Sequence, residues 1–470
     1  MRKSLLSMAM IGGRPCIGDE RFDVIDPSSG SAFASAPLCG ADHLESAVLA
    51  AEKAQPAWAK AERARRTALL TCANTILRNR AELARLITKE QGKPLPEAKN
   101  EVAYAADVFK TYAEMEIPSK DLSEGNAPRT LLLNRPYGIV GLITPWNFPI
   151  ATIAVKLAPA LLAGNAVILK PSPLAPLSPL HLGKILNRDL PSGIFNCLSG
   201  FKDLGEWIAR HPKIRKLSVT ASIPTGRAVL SEAASEIKSV TLELGGNDPA
   251  IVLPDSQPHN IASEILESAW RNAGQVCSAI KRIYVHESRY EELTEVLSAE
   301  MANYVVGNGF VEGVRIGPLT TKQSVERVEE MISSAYKSGA AILSYPRTNE
   351  DSGFFTTPAI VKDIDSSHPL VSDEQFAPIL PIVPYKTIEQ AIAWANDSNY
   401  GLSASVWTTN PRMGYDVASQ LECGRVGVNG HKRATTHAPF GGFKHSGIGR
   451  ELGTWGLAEM LEHQVVNIFD

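Results

Sequence analysis

Ile139-Val140-Gly141-Leu142-Ile143 is the stretch from which the architecture of this chain can be read. These apolar residues run without a charge. A loop carrying Pro145 and Pro149 follows, and then a helix-like segment that ends near Gly164. The pattern repeats. Ala166 to Leu169 reads as a strand and Leu174 to Leu186 as a helix. Ile194 to Leu198 reads as a strand and Asp203 to Arg210 as a helix. Lys216 to Val219, Gly226 to Ile237 and Val240 to Leu244 continue as strand, helix and strand. Short apolar strands alternating with helices predict βαβ units and a parallel sheet, because parallel neighbours need a crossover and its helix covers the sheet face.

Outward from this core the alternation restarts after Gly245-Gly246. Ile251 to Leu253, Ile283 to Val285 and Ala340 to Leu343 read as strands. Val325, Val328, Met331, Ile332 and Ala335 share one helical face, stopped by Gly339. A second α/β domain is therefore expected from about residue 246. Upstream, residues 43 to 116 are rich in Ala, Glu, Lys, Arg and Leu and read as several helices. Residues 117 to 136 break the pattern, starting with Pro118 and ending in an extended Thr130 to Leu133, and read as an excursion from the first domain. No internal repeat or low-complexity segment is visible.

The chain has 470 residues, 44% hydrophobic and 21% charged, which suits a soluble globular protein of two or three units with a core large enough to exclude water from a site. Net charge is −3 with no block of like charges, so nothing suggests a nucleic-acid surface. No apolar run reaches the roughly 18 residues needed to span a bilayer. Arg2 and Lys3 precede Leu5-Leu6, but the apolar part is short and lacks a clean cleavage site, so this reads as an ordinary N-terminus. The six cysteines are scattered, with no CxxC and no metal-ligand spacing. Reduced thiols, a cytoplasmic setting and no metal site are expected.

Three places carry candidate chemistry. Cys277 lies in Gly274-Gln275-Val276-Cys277-Ser278. It is either a packed core thiol or a nucleophile on a loop that Gly274 lets approach closely, and polar Gln275 and Ser278 suit an accessible loop. Glu243, in Leu242-Glu243-Leu244-Gly245-Gly246, ends an apolar strand where an open parallel sheet borders its ligand crevice. It is either a solvated strand end or a general base tuned by partial burial. Asn147, in Thr144-Pro145-Trp146-Asn147-Phe148-Pro149, either caps the next helix or offers an amide to a developing oxyanion.

Together with Gly164-Asn165, Lys170-Pro171-Ser172, Glu374-Gln375-Phe376-Ala377-Pro378, Tyr400-Gly401-Leu402, Pro439-Phe440-Gly441-Gly442 and Ser446-Gly447-Ile448-Gly449-Arg450-Glu451, these motifs closely resemble the NAD(P)-dependent aldehyde dehydrogenase superfamily, in order and over nearly the whole length. The resemblance implies that Cys277 attacks the aldehyde carbon as an activated thiolate, Asn147 and the Cys277 N–H hold the oxyanion, and Glu243 activates the water that hydrolyses the thioester. Lys156 and Glu451 match positions that support water or proton movement. It further implies an NAD or NADP site formed by Thr144, Trp146, Lys170, Ser222, Gly226, Leu244, Glu374 and Phe376.

There are departures. Many members have a glutamate three residues after the lysine that Lys170 matches, where this chain has Pro173. The Thr-Gly-Ser turn of the family appears as Thr220-Ala221-Ser222, and there is no GxGxxG. Both changes leave NADP open beside NAD. Members acting on succinate semialdehyde carry an arginine at the position of Val155, and Arg271 matches a second arginine of theirs. That pattern suggests an apolar aldehyde or a semialdehyde of modest charge. Arg433 and His437 fall in a segment that borders the substrate tunnel or forms a solvated loop.

Two rivals stand beside this expectation. One is an acylating enzyme that passes its thioester to coenzyme A, which Glu243 disfavours. The other is a non-catalytic protein on the same scaffold, which the joint presence of Cys277, Glu243 and Asn147 disfavours. The implied fold is α/β: a Rossmann-like coenzyme domain over 1–116 and 137–245, a catalytic α/β domain over 246–455, and a small β oligomerisation arm over 117–136 and 456–470. The arm implies a homodimer or homotetramer, since an edge strand left bare would be a liability. The expected partner is a small-molecule aldehyde, with neither nucleic acid nor membrane.

Overall fold

The computed structural model describes residues 5–18, 20–117, 120–124, 129–345, 352–431 and 435–469. At its centre is an eight-stranded sheet in the spatial order Gly447–Ile448, Ser239–Glu243, Ile214–Thr220, Ile139–Ile143, Ala166–Lys170, Phe195–Cys197, Ala9–Ile11 and Arg14–Cys16. The five strands from Ser239–Glu243 to Phe195–Cys197 are mutually parallel. Most of their residues are buried because helices cover both faces of the sheet. From Ile139–Ile143 the chain first builds outward through Ala166–Lys170 and Phe195–Cys197. It then returns to the other side with Ile214–Thr220 and Ser239–Glu243. Such a reversal opens a crevice at the C-terminal strand ends.

Four helices lie in the chain between the strands Arg14–Cys16 and Ile139–Ile143: Ala41–Lys60, Glu62–Arg78, Arg80–Gln91 and Leu95–Glu114. The last buries Ala98, Val102, Ala105 and Phe109 along one stripe against the helix Pro149–Ala163. After Gly245-Gly246-Asn247 the chain enters a seven-stranded sheet ordered Ala341–Ser344, Ala359–Lys362, Ile379–Tyr385, Ile280–His286, Asp248–Val252, Ser403–Trp407 and Arg425–Val428. All its pairings are parallel except Ala341–Ser344 with Ala359–Lys362, which is antiparallel. Each sheet has its own buried apolar cluster. The chain thus leaves the C-terminal edge of one sheet and enters the N-terminal edge of the next within a few residues, and the site forms where these edges meet.

A third sheet pairs Leu461–Ile468 with all of Arg129–Pro136, antiparallel, and Lys120–Asp121 adds a short edge. Pro118 lies outside the described residues. The alternation read from sequence stops at Leu343, whereas the chain adds Ala359–Lys362, Ile379–Tyr385, Ser403–Trp407 and Arg425–Val428. Pro381 and Pro384 within Ile379–Tyr385, and the serines of Ser403–Trp407, mask those strands in a hydrophobic pattern.

Candidate active site

Immediately before Cys277 the backbone turns left-handed at three successive residues, with φ of +52° at Asn272, +56° at Ala273 and +72° at Gly274. The first two cost strain that their surroundings must hold. Gly274 is required on a second count, since a Cβ there would lie 2.3 Å from the Ala377 carbonyl oxygen. Asn272 N donates to Glu97 Oε2 at 3.0 Å, and its side-chain amide donates to the Asn147 carbonyl at 3.2 Å. Gln275 is buried, contrary to the accessible-loop expectation. Its amide donates to the Asn272 carbonyl at 3.0 Å and its Oε1 accepts from Thr320 N at 3.0 Å, so it fastens the turn.

Asn147 approaches from the other sheet. Its Nδ2 donates to the Gln275 carbonyl at 3.0 Å, two residues before Cys277, and its Oδ1 accepts from Phe148 N at 3.1 Å. The helix that follows is capped by Glu101, whose Oε1 accepts from Ile150 N at 2.9 Å and Ala151 N at 3.2 Å. Glu101 also pairs with Lys93, a fully buried cation that donates to the Asn147 carbonyl at 2.8 Å and lies 3.6 Å from the Phe148 ring centroid. Arg271 stacks on the same ring at 5.1 Å. The loop of Asn147 is therefore held by buried charges on the Leu95–Glu114 helix and just before it.

Glu243 is buried at the end of its strand, and neither carboxylate oxygen has a hydrogen-bond partner. Burial first, and then the charge of Glu451, push its carboxyl well above the usual range, while Lys156 and Arg450 oppose. Glu451 is itself paired with Lys156, whose ammonium also donates to Ser218 Oγ at 3.2 Å. A Cβ at Gly441 would lie 2.9 Å from Glu243 Oε1, so that glycine leaves the carboxyl its space. Cys277 remains partly accessible. Its thiol is pushed up to about 12, chiefly by burial, with Lys281 opposing and Glu243, Glu374 and Asp248 adding to the shift. The activated thiolate expected from sequence is thus not the resting form.

The coenzyme candidates line the C-terminal ends of the first sheet. Thr144 N donates to the Lys170 carbonyl at 3.1 Å, tying two adjacent strand ends, and the buried Thr144 hydroxyl has no partner. Trp146 and Phe376 form an edge-to-face pair at 5.6 Å. Burial lowers the Lys170 ammonium to about 8, and it donates to the Pro171 carbonyl at 3.4 Å. Ser222 begins the helix Ile223–Ala234. In that helix a Cβ at Gly226 would lie 2.5 Å from Leu244 Cδ2, so a side chain there would close the crevice. Glu374 Oε1 accepts from Gly246 N at 3.1 Å, at the junction of the two sheets. A buried cation short of acceptors, a helix N-terminus, a paired aromatic wall and a carboxylate fit a dinucleotide's phosphates, ring and ribose.

Residues 16–466 match the model of the Aldehyde dehydrogenase family. The chain belongs to the aldehyde dehydrogenase family. It is an NAD(P)-dependent enzyme that oxidises an aldehyde to a carboxylic acid. It is 37% identical over 453 residues to the succinate-semialdehyde dehydrogenase (NADP(+)) of Escherichia coli (strain K12), covering 94% of this chain and 93% of that one. It is 38% identical to the glutarate-semialdehyde dehydrogenase of Pseudomonas aeruginosa, over 93% of this chain and 92% of that one. A crystal structure of an Escherichia coli NADP-dependent enzyme superposes with a TM-score of 0.96 at 36% identity, covering 98% of each chain.

Several site residues of this aldehyde dehydrogenase carried no signal in the sequence. Lys93, Glu101 and Glu97 sit in an ordinary charged helical segment, and their role comes from what the fold brings to them. Asp248 and His431, which meet at 3.5 Å behind Ser278, are far apart in the chain. His437 is exposed, and Arg433 lies outside the described residues. No helix of the described residues is long and apolar enough to cross a membrane.

Proposed function

We propose that this enzyme oxidises a semialdehyde with an acidic tail through a thioester on Cys277, released by water. The observation that carries this is the meeting of Asn147 with the nucleophile loop, Nδ2 on the Gln275 carbonyl at 3.0 Å, in the same site as an unpartnered, buried Glu243. The Cys277 thiol gives up its proton to solvent as Sγ bonds to the aldehyde carbon and the C=O π bond opens. The carbonyl oxygen becomes an oxyanion that the Asn147 amide and the Cys277 N–H stabilise. The nicotinamide coenzyme, when bound, accepts the hydride that leaves this carbon. Glu243 then takes a proton from water as its oxygen attacks the thioester, releasing the acid and restoring the thiol. Its raised pKa makes the protonated form of this buried carboxyl easy to reach. Lys156 and Glu451 adjoin it as the route by which that proton moves on.

Lys170, Ser222 and Gly226 would hold the adenosine and phosphate end, and Thr144, Trp146, Leu244, Glu374 and Phe376 the nicotinamide end. Pro173 supplies no carboxylate beside Lys170, which supports NADP as well as NAD. The relatives named for succinate semialdehyde, glutarate semialdehyde and, in Pseudomonas putida, 3-sulfolactaldehyde support an anionic substrate. The division into coenzyme domain (1–116, 137–245), catalytic domain (246–455) and arm (117–136, 456–470) is supported by the two apolar clusters and the separate third sheet. Exposed Val465, Ile468 and Phe469 on the arm support a homodimer or homotetramer. Six unpaired cysteines support a cytoplasmic setting. Replacing Cys277 with Ala abolishes aldehyde-dependent reduction of NAD(P). Acyl-CoA exceeding free acid when coenzyme A is supplied refutes the hydrolytic step.

A further inference from the structure

We propose that this enzyme carries a second ligand site, separate from the catalytic crevice, which takes a small organic monoanion with an apolar body, of the class of a medium-chain carboxylate. The site is a cavity of about 780 Å³ between the helices Arg80–Gln91 and Leu177–Leu186. No residue assigned above to the nucleophile, the oxyanion, the base or the coenzyme lines it.

Two helix faces form its walls. Glu82, Arg85, Leu86 and Lys89 recur at the three- and four-residue spacing that puts side chains on one face. Leu177, Leu180, His181 and Lys184 do the same on the other helix. The two helices run antiparallel. Glu90 accepts from Leu177 N at 2.6 Å and from Ser178 N at 2.8 Å, which ties the end of the first to the start of the second. Further along, Glu82 lies 3.6 Å from His181. Met8, Phe33 and Phe310 add to the lining. A mostly apolar hollow with a few charged groups, of a volume within roughly 300–1,000 Å³, has the make-up of a small-molecule site.

The charged groups set the sign of the ligand. Arg85, Lys89 and Lys184 line the cavity; Lys89 is paired with Asp26, and Glu82 is the carboxylate of the lining. Three cations against two carboxylates leave one positive charge for a ligand to neutralise. Arg85 has no ion-pair partner among the described residues, and its guanidinium carbon lies 5.5 Å from the Phe310 ring centroid. Lys89 Nζ lies 5.4 Å from that of Phe33. Cations held on aromatic faces place anion-binding groups beside apolar surface, and a guanidinium fits a carboxylate with two parallel hydrogen bonds. His181 gives a separate sign of a missing polar partner. Its buried Nε2 has no hydrogen-bond partner, since Glu82 at 3.6 Å is too far. Burial lowers its pKa, Glu82 opposes, and Lys184 and Arg188 reinforce the shift, so the neutral ring leaves the charge count unchanged. The place of the cavity gives a bound ligand something to hold. The helix Arg80–Gln91 ends where Gln91 Nε2 donates to Thr320 Oγ1 at 3.4 Å, and Thr320 N donates to Gln275 beside the nucleophile. Phe310 follows Gly309, whose carbonyl accepts from Leu95 N at 2.9 Å. A ligand touching Arg85 and Phe310 bridges these stretches and stabilises the folded enzyme.

The test titrates decanoate, and decanol as its uncharged counterpart of equal length, into the full-length enzyme by calorimetry, with the melting temperature as a second reading. Decanoate binds the wild type about tenfold or more tightly than decanol does, the worth of one charge-assisted contact. Arg85→Met and Lys184→Met alter exposed side chains outside the catalytic machinery. Each weakens decanoate about tenfold and leaves decanol unchanged. Ala81→Trp puts bulk into the cavity from an exposed position and removes the binding of both. Decanoate raises the melting temperature of the wild type and not that of Ala81→Trp. The proposal is overturned if the wild type does not bind decanoate. It is overturned equally if all three variants bind decanoate as the wild type does, because the ligand then sits in the substrate tunnel or elsewhere. Equal affinity of the wild type for decanoate and decanol overturns the assigned charge, and the proposal with it.

Discussion

A thiol pushed up to about 12 should be slow to alkylate at neutral pH. A free cysteine with a pKa of about 8.5 is roughly one-tenth thiolate at pH 7.5. Cys277 at about 12 is ionised some 3000-fold less. A more basic thiolate is intrinsically more reactive, and a Brønsted slope of about 0.45 over this difference returns roughly 40-fold. Iodoacetamide should therefore modify Cys277 in the coenzyme-free enzyme about 100-fold more slowly than it modifies glutathione. The rate should climb about tenfold per pH unit from 7 to beyond 9 without levelling. Lys281→Met should slow it further, since that ammonium is the main charge opposing the shift. The assay is mass-spectrometric labelling against time, with Cys277→Ala correcting for the other cysteines. A plateau below pH 8.5, or a rate matching glutathione at pH 7.5, would refute this account of the resting thiol.

Other outcomes follow from the same geometry. Asn147→Ala should lower kcat about 10²- to 10³-fold through loss of the oxyanion donor, read in steady-state kinetics; a change confined to KM argues against that role. The hydrolytic step should slow on acidification at a pH well above the usual carboxylate range, because the raised Glu243 carboxyl loses its base form as pH falls through its own pKa. Glu243→Gln should abolish this limb and accumulate a thioester detectable in the intact protein's mass. Lys93→Met leaves Glu101 buried without its cation and should cost about 3 kcal/mol. That is roughly 6–12 °C of melting temperature for a unit of 150–250 residues. Adding Glu101→Gln should recover part of the loss, and an unchanged melting curve for Lys93→Met would show that the pair contributes little.

The sequence makes the parallel core legible because both faces of that sheet are covered. Its strands carry apolar runs, and Ile139–Ile143, unbroken by any polar residue, announces itself without tertiary context. Ile379–Tyr385 does not, since prolines interrupt it and only its neighbours reveal it as a strand. The chemistry-bearing residues were legible through their motifs, but their electrical state was not. Sequence suggested an activated Cys277 thiolate and a partly buried Glu243. Burial shifts both groups toward their neutral forms, with Glu451 adding to the shift of Glu243 and Glu243, Glu374 and Asp248 to that of Cys277. Gln275 shows the same limit: a polar residue beside a nucleophile looks solvent-facing until Asn272 and Thr320 are found to satisfy its amide internally. The supports of the site, Lys93, Glu97 and Glu101, depend on contacts that no local pattern encodes.

The left-handed turn at Asn272–Gly274 also bears on how the protein is made. Its strain is balanced by Glu97 and by the Asn147 carbonyl, both supplied by the part of the chain that emerges first from the ribosome. Until that part has folded and the later part has docked on it, nothing compels the chain to reverse its hand before Cys277. A half-finished molecule therefore lacks the aligned nucleophile loop. Catalytic competence arrives with completed assembly.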